Sequence, residues 1–371
     1  MSQNFKGLFQ PSRMEPPIQK KARISMKQAE TPGSLGIDPK RWAMWSKVMA
    51  GAVKVPIAST PRDSIYQRDI LTLYRYRRDT PALYKTPILL VYSLINRPSV
   101  LDLQPGRSVV ESLLKLGFDV YLVDWGSPDP LDQLMGLEDY IKNFLRTVVR
   151  KVCLHAGVEQ LNLLGYCMGG TMSAMYTALY PDRVKNLLLL GTPLHFRSEN
   201  QLYRWGGNKQ FDVGKIVDAW SMAPPWSFEG YAMLTLDSKP RKLLGLLDNI
   251  DKPEFLANYV ATEQWVNDNI PMAGATYVEF CRKCFVDNQL SEGRMEVGGT
   301  PVRLGDVQCP VLIIAGTSDH LVPPETVGAD PMLFPHGEVM MFPAGHVGLS
   351  ISGKSHQKLW PAVAQWLAPR S

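Results

Sequence analysis

Six residues, Gly165-Tyr166-Cys167-Met168-Gly169-Gly170, follow the apolar run Leu161 to Leu164 and lead into a helical pattern of small residues from Thr171 to Leu179. A buried strand, a glycine-framed turn and a helix are the parts of a nucleophile elbow, where the chain reverses so sharply that its central side chain stands clear at the strand end. That turn leaves no room for a β-carbon two residues before or after the centre, which accounts for Gly165 and Gly169. Gly170 lets the new helix pack closely. The centre of a G-x-S-x-G motif is Ser, and here it is Cys167. Most free cysteines are small buried hydrophobes. The glycines on both sides and the strand before them favour a nucleophile instead.

The elbow requires a parallel sheet around it, and the flanking sequence provides one. LTLYRYR alternates like a two-faced strand, TPILLVYS reads as a continuous buried strand, and GRSVVESLLKLGF is an amphipathic helix. DVYLVDWG is the next strand, a helix from about Leu137 to His155 follows, QLNLLGYC delivers Cys167, and VKNLLLLGTP comes after the elbow helix. Alternation of buried strands with helices predicts a mostly parallel sheet with helices on both faces, the α/β-hydrolase fold. After Leu194 the rhythm breaks. Residues 195–300 carry Trp205, Trp220, Trp226, Phe228, Trp265 and Phe280 among helical stretches, and the strand signal returns at CPVLIIAGTSD and GEVMMFPAGH. The expected organisation is a core of residues 67–194 and 301–371 with a helical cap inserted at 195–300. A last helix with Trp360 and Trp366 closes the chain.

Charge adds little to the core and much to the start. The formal charge of +5 is uneven: residues 1–50 hold nine Lys or Arg against three Asp or Glu, a local +6, so the remainder sums to about −1. Residues 1–37 are expected to form a basic disordered tail, and residues 38–66 a helix and linker, with Asp38 as N-cap, Pro39 at the first position, and Trp42, Trp45 and Met49 on one face. Such a stripe docks on its own domain, or else on a partner or an apolar surface. A near-neutral body argues against nucleic acid, no apolar run spans a membrane, and the N-terminus lacks a signal pattern, so a cytoplasmic protein is expected. Cys281 and Cys284 form a lone C-x-x-C with nothing to complete a zinc site, and are read as helix residues. No metal is expected.

In a sheet of this kind ligands bind beyond the carboxyl ends of the strands. Asp319 follows CPVLIIAGTS and His346 follows GEVMMFPAG, so both belong at that end, in the chain order nucleophile, acid, base. Asp319 would accept from one imidazole nitrogen while the other faces the thiol. Among the other histidines, His320 is the rival, being next to Asp319; a neighbour in sequence normally points away, so His346 is preferred. An oxyanion hole needs the amide of the residue after the nucleophile, Met168, and one from the loop Ser93-Leu94-Ile95-Asn96. Asn96 itself reads as a turn residue.

GYCMGGTM, TPILLVYSLINRPSVLDL, FDVYLVDWGSP, WVNDNIPMAGATY and the surroundings of Asp319 and His346 together resemble the polyhydroxyalkanoate synthases, over nearly everything after residue 65. Without the long N-terminal domain of single-subunit synthases, the chain is most similar to the short catalytic subunits of the two-component classes III and IV, with GYCMGGTM leaning towards class IV. The resemblance implies polymerisation of (R)-3-hydroxyacyl-CoA, usually 3-hydroxybutyryl-CoA, into an intracellular polyester, with no cofactor because CoA is the leaving group. It implies Cys167 as nucleophile, His346 as base, Asp319 as the residue that orients the base or helps activate the hydroxyl, and the amides of Ile95 and Met168 as oxyanion donors. It further implies a second synthase subunit, a homodimer, and association with the polyester granule; the +6 segment adds the expectation that the Trp42 and Trp45 helix, or the basic tail, docks the second subunit or the polymer surface.

Sulfur chemistry fits that implication. A thiolate attacking acyl-CoA exchanges one thioester for another, so the acyl group stays activated until a hydroxyl converts it downhill to an ester. Two alternatives stand beside it: an acyl-CoA thioesterase or lactone hydrolase of the same fold, and a non-catalytic granule-associated protein.

Overall fold

The structure is a computed structural model that describes residues 38–208, 210, 212–223, 239–328 and 332–371. The expected basic tail at 1–37 and the cap residues Trp226 and Phe228 lie outside the described residues. One sheet of eight strands organises the rest. In chain order they are β1 (Arg62–Arg68), β2 (Leu71–Tyr76), β3 (Ile88–Val91), β4 (Val120–Asp124), β5 (Leu161–Tyr166), β6 (Val184–Leu190), β7 (Val311–Gly316) and β8 (Gly337–Phe342). Their spatial order is β1-β2-β4-β3-β5-β6-β7-β8. β2 runs antiparallel to both neighbours, and every pairing from β4 to β8 is parallel.

The apolar runs become central strands because helices cover both faces. All six residues of β5 are buried, with Leu163 packing into one core and Leu164 into the other, as the two-residue strand period requires. The first core takes Val149 and Val152 of the helix Arg146–Ala156, and Met172 and Met175 of the elbow helix Met168–Leu179. The second takes Val109, Val110 and Leu113 of the helix Val109–Lys115, and Trp360, Val363 and Leu367 of the last helix Trp360–Leu367. Burying one such side chain contributes roughly 1.5–3 kcal/mol. The two layers hold the strand ends rigidly, and the site is built on those ends.

Three details differ from expectation. The sheet begins at Arg62, inside the segment read as linker, because β1 is an edge strand with a largely solvated, polar sequence that carries no apolar period. The stretch from Leu137 to His155 starts with a π-helical segment, Asp139–Leu145, before the α-helix Arg146–Ala156. The insert is mainly helical but includes the paired segments Met222–Ala223 and Met272–Ala273, and the hairpin Met295–Val297 with Thr300–Val302.

The helix Pro39–Met49 is capped by Asp38, whose side chain accepts from the Lys40 amide at 2.9 Å. Trp42 and Trp45 stack at 4.9 Å. Arg41 donates to the Leu247 carbonyl at 2.5 Å and pairs with Asp251 at 3.0 Å, so this helix leans on the cap helix Lys239–Asn249 and the turn after it. Its residue Met49 remains half exposed. Among the described residues, no helix is long and apolar enough to cross a membrane.

Candidate active site

Cys167 holds φ 56° and ψ −131°, a conformation that costs a non-glycine residue free energy and is typical of a nucleophile elbow. The surrounding close approaches explain the glycines. A β-carbon on Gly165 would lie 2.7 Å from Ser173 Oγ, one on Gly169 would lie 2.5 Å from the Tyr92 carbonyl oxygen, and one on Gly170 would overlap Thr192. The Cys167 amide donates to the Leu190 carbonyl at 3.0 Å, which ties the elbow to the end of β6.

The loops after β7 and β8 bring the other two groups to this point. Asp319 is buried; its Oδ1 accepts from the amides of Leu321 at 2.9 Å and Val322 at 2.8 Å, leaving Oδ2 for the imidazole. Nδ1 of His346 lies 2.7 Å from Asp319 Oδ2. A carboxylate only accepts, so Nδ1 carries the hydrogen and Nε2 is left for the thiol. Burial pushes the His346 pKa down, and negative charge on Cys167 and then on Asp319, with the hydrogen bond to Asp319, reverses this and pushes it up to about 10.

The side chain of His320, the sequence neighbour, is exposed. Its carbonyl accepts from Asn200 Nδ2 of the cap at 2.9 Å. His195 is tied to Ser291 at 3.1 Å and Asn288 at 3.3 Å, His155 to the Tyr121 hydroxyl at 2.9 Å, and His356 to Ser112 at 2.9 Å. Cys281 opens a π-helical segment, Cys281–Val286, in which Cys284 is buried.

Of the two expected oxyanion donors, Met168 is the first residue of the elbow helix, so its N–H has no intrahelical acceptor. The Ile95 N–H lies 3.2 Å from Ser93 Oγ. A ligand oxygen would have to take the place of that hydroxyl.

Two contributors were not singled out from the sequence. Gly191, at φ +47°, leaves the space that the imidazole fills. Tyr166, buried beside Cys167, donates from its hydroxyl to the His346 carbonyl at 2.8 Å, with the two rings 5.0 Å apart. A Gly just past the strand VKNLLLL and a Tyr inside the elbow motif were the available signals. The acid loop is also tied to the cap: Ser198 Oγ donates to Glu325 at 2.6 Å, the Tyr203 hydroxyl to Thr326 Oγ1 at 3.3 Å, and the His195 amide to the Thr326 carbonyl at 2.9 Å.

This arrangement has the chemistry of an acyl-transfer site: a thiol at the top of the sheet, a base on it, and a carboxylate fixing the tautomer. Comparison with known proteins agrees with the fold and narrows the family. Residues 86–350 match the family described as alpha/beta hydrolase fold, and residues 45–113 match the family described as the N-terminus of poly-beta-hydroxybutyrate polymerase (PhaC). A poly(3-hydroxyalkanoate) polymerase subunit PhaC from Thiocystis violacea is 38% identical over 325 residues, covering 84% of this chain and 89% of that protein. The subunit of the same description from Allochromatium vinosum is 36% identical over 331 residues, covering 87% and 92%. That from Haloferax mediterranei is 41% identical over 323 residues, covering 86% of this chain but 66% of that longer protein. Among solved structures, a monoacylglycerol lipase from Paleococcus ferrophilus superposes with a TM-score of 0.51 at 19% identity, covering 81% of this chain and 99% of that one, a likeness of fold alone. The chain therefore belongs to the poly(3-hydroxyalkanoate) polymerase family, built on the α/β-hydrolase fold.

Proposed function

We propose that this chain is the catalytic subunit of a two-component polyester synthase and polymerises (R)-3-hydroxyacyl-CoA, 3-hydroxybutyryl-CoA in the first instance, through a thioester on Cys167. The observation that carries this reading is the thiol of Cys167 at a strained elbow, φ 56°, beside the imidazole of His346, which Asp319 holds at 2.7 Å. In the first step the Cys167 thiolate attacks the acyl carbonyl and the carbon–sulfur bond to CoA breaks. The CoA thiolate leaves with the proton from the His346 imidazolium. The developing oxyanion is met by the Met168 and Ile95 amides.

Acylation then changes the base. Once Cys167 carries an acyl group its negative charge is gone, and the largest influence raising the His346 pKa goes with it. Having given its proton to the departing CoA, the imidazole is neutral and accepts the proton of the incoming hydroxyl as its oxygen attacks the thioester. An ester bond forms, the thiolate is released, and the pair returns to its starting charge. No external cofactor takes part. The partners in this reading are the growing polyester chain at its granule surface, a second synthase subunit and a second copy of the chain.

The test is incubation of the pure chain with 3-hydroxybutyryl-CoA, with and without a candidate partner subunit, following CoA release and turbidity. Free CoA together with insoluble polymer is expected. Free CoA with only monomeric acid would make the chain a thioesterase.

A further inference from the structure

Two segments conspicuous in the sequence, LINRPSVLDL and WVNDNIPMAGATY, meet beside the elbow. Their meeting point is Asn96, between β3 and the 3₁₀ turn Pro98–Leu101. A turn asparagine ordinarily satisfies its side chain on backbone nearby. Asn96 does this only with Oδ1, which accepts from the Arg97 amide at 2.5 Å. Its Nδ2 donates across to the cap, to the Trp265 carbonyl at 3.2 Å and to Asn269 Oδ1 at 3.0 Å. Both amide hydrogens and the oxygen are thus used, in a side chain of which 7% is exposed. The same junction holds an antiparallel backbone bridge between Asn96 and Asn269, and a bond from Trp265 Nε1 to the Arg97 carbonyl at 2.9 Å.

The residue before Asn96 is Ile95, whose amide the proposed reaction needs. Its position is set by a short loop that leads to Pro98 and is fastened to the cap through Asn96 and Arg97. We infer that Asn96 is a positioning residue: by joining the Ile95 loop to Trp265 and Asn269, it makes attack at the carbonyl depend on a seated cap. The inference rests on the function proposed above, and predicts a particular signature. Loss of the Asn96 contacts should slow acylation while leaving substrate binding nearly unchanged, because the amide matters most when the oxyanion forms. Asn269 enters only as an acceptor, so a carboxylate at that position should serve and an apolar side chain of similar size should not.

Single-turnover CoA release from 3-hydroxybutyryl-CoA, with full-length enzyme in excess, separates these effects. Cys167→Ala is measured first: CoA release at the native rate in that variant overturns the proposed function itself. With Cys167 required, Asn96→Asp should lower the maximal rate about 30- to 100-fold, the scale of a displaced oxyanion donor, with the half-saturating concentration within about threefold of native. Asn269→Leu should lose about tenfold and Asn269→Asp should stay within about twofold of native. The double variant Asn96→Asp with Asn269→Leu should be no more than about twofold slower than Asn96→Asp alone, since both remove one connection. Native rates in Asn96→Asp, effects confined to half-saturation, or equal rates in the two Asn269 variants would overturn the inference. If Asn96→Asp does not fold, the two Asn269 variants decide it.

Discussion

Gly191 and His346 are matched in shape: a β-carbon on Gly191 would stand 3.1 Å from both Cε1 and Nδ1 of the imidazole, and 3.4 Å from Leu349. The glycine sits one residue beyond β6, at φ +47°, so both its backbone and the space beside it are specified. The base is thus positioned from the sheet as well as from its own loop.

Gly191→Ala should therefore displace the ring that bonds Asp319. Expected are a loss of about 1–2 kcal/mol from the left-handed backbone alone and at least a tenfold fall in CoA release. Thermal unfolding and steady-state turnover of the same preparation check both. Unchanged turnover in a folded variant would show that the ring has room to spare.

Asp319→Asn keeps an oxygen for the Leu321 and Val322 amides, so the loop should fold as before. It removes the acceptor for Nδ1–H and turns the imidazole to the wrong tautomer. Turnover should fall by about 10³- to 10⁴-fold with little change in unfolding temperature, by analogy with other histidine–carboxylate pairs. A fall of less than tenfold would assign Asp319 a lesser part.

The charge state of His346 gives a pH prediction with a definite sign. Its folded pKa, about 10, is above the ordinary imidazole value of about 6.5. The interactions of the imidazolium therefore stabilise the fold fully below about pH 6.5, and this contribution is lost as pH rises towards 10. The difference in stability between the native chain and His346→Gln should shrink over that window. In Cys167→Ala the thiolate is gone, and the His346 resonance in an NMR titration should move at lower pH than in the native protein. An unchanged titration would mean that Asp319 alone sets the charge.

Cys167→Ser tests why sulfur is used. The backbone at this position, φ 56°, is already that of an elbow, so the variant should fold normally. An ester-level intermediate forfeits the driving force for chain growth. Polymer formation should fall at least 10²-fold, while any residual CoA release ends in monomeric acid. Polymer at the native rate would remove the reason given for cysteine.

The central strands were legible because parallel strands covered on both faces are continuous apolar runs, as in Ile88–Val91, Leu161–Leu164 and Val311–Ile314. The elbow was legible because its glycines answer close approaches, to the backbone of Val91 and Tyr92 and to the side chain of Thr192, that such a turn creates. β1 was missed because an edge strand with a largely solvated face, Arg62–Arg68, needs no apolar alternation. What Gly191 faces and the cap contacts of Asn96 were not readable either. Both depend on which side chains meet across distant parts of the chain, and local pattern carries no record of that. His346 and His320 could be ranked from sequence, but their difference in burial is a property of the folded loop.

The most direct measurement is peptide mass spectrometry after acid quench of the full chain with 3-hydroxybutyryl-CoA, with the protein then digested and its acylated peptide sequenced. The expected result is a hydroxybutyryl thioester on Cys167, formed as fast as CoA appears and absent from Cys167→Ala. CoA release without acyl label on Cys167, or acyl label at another residue that persists in Cys167→Ala, would contradict it.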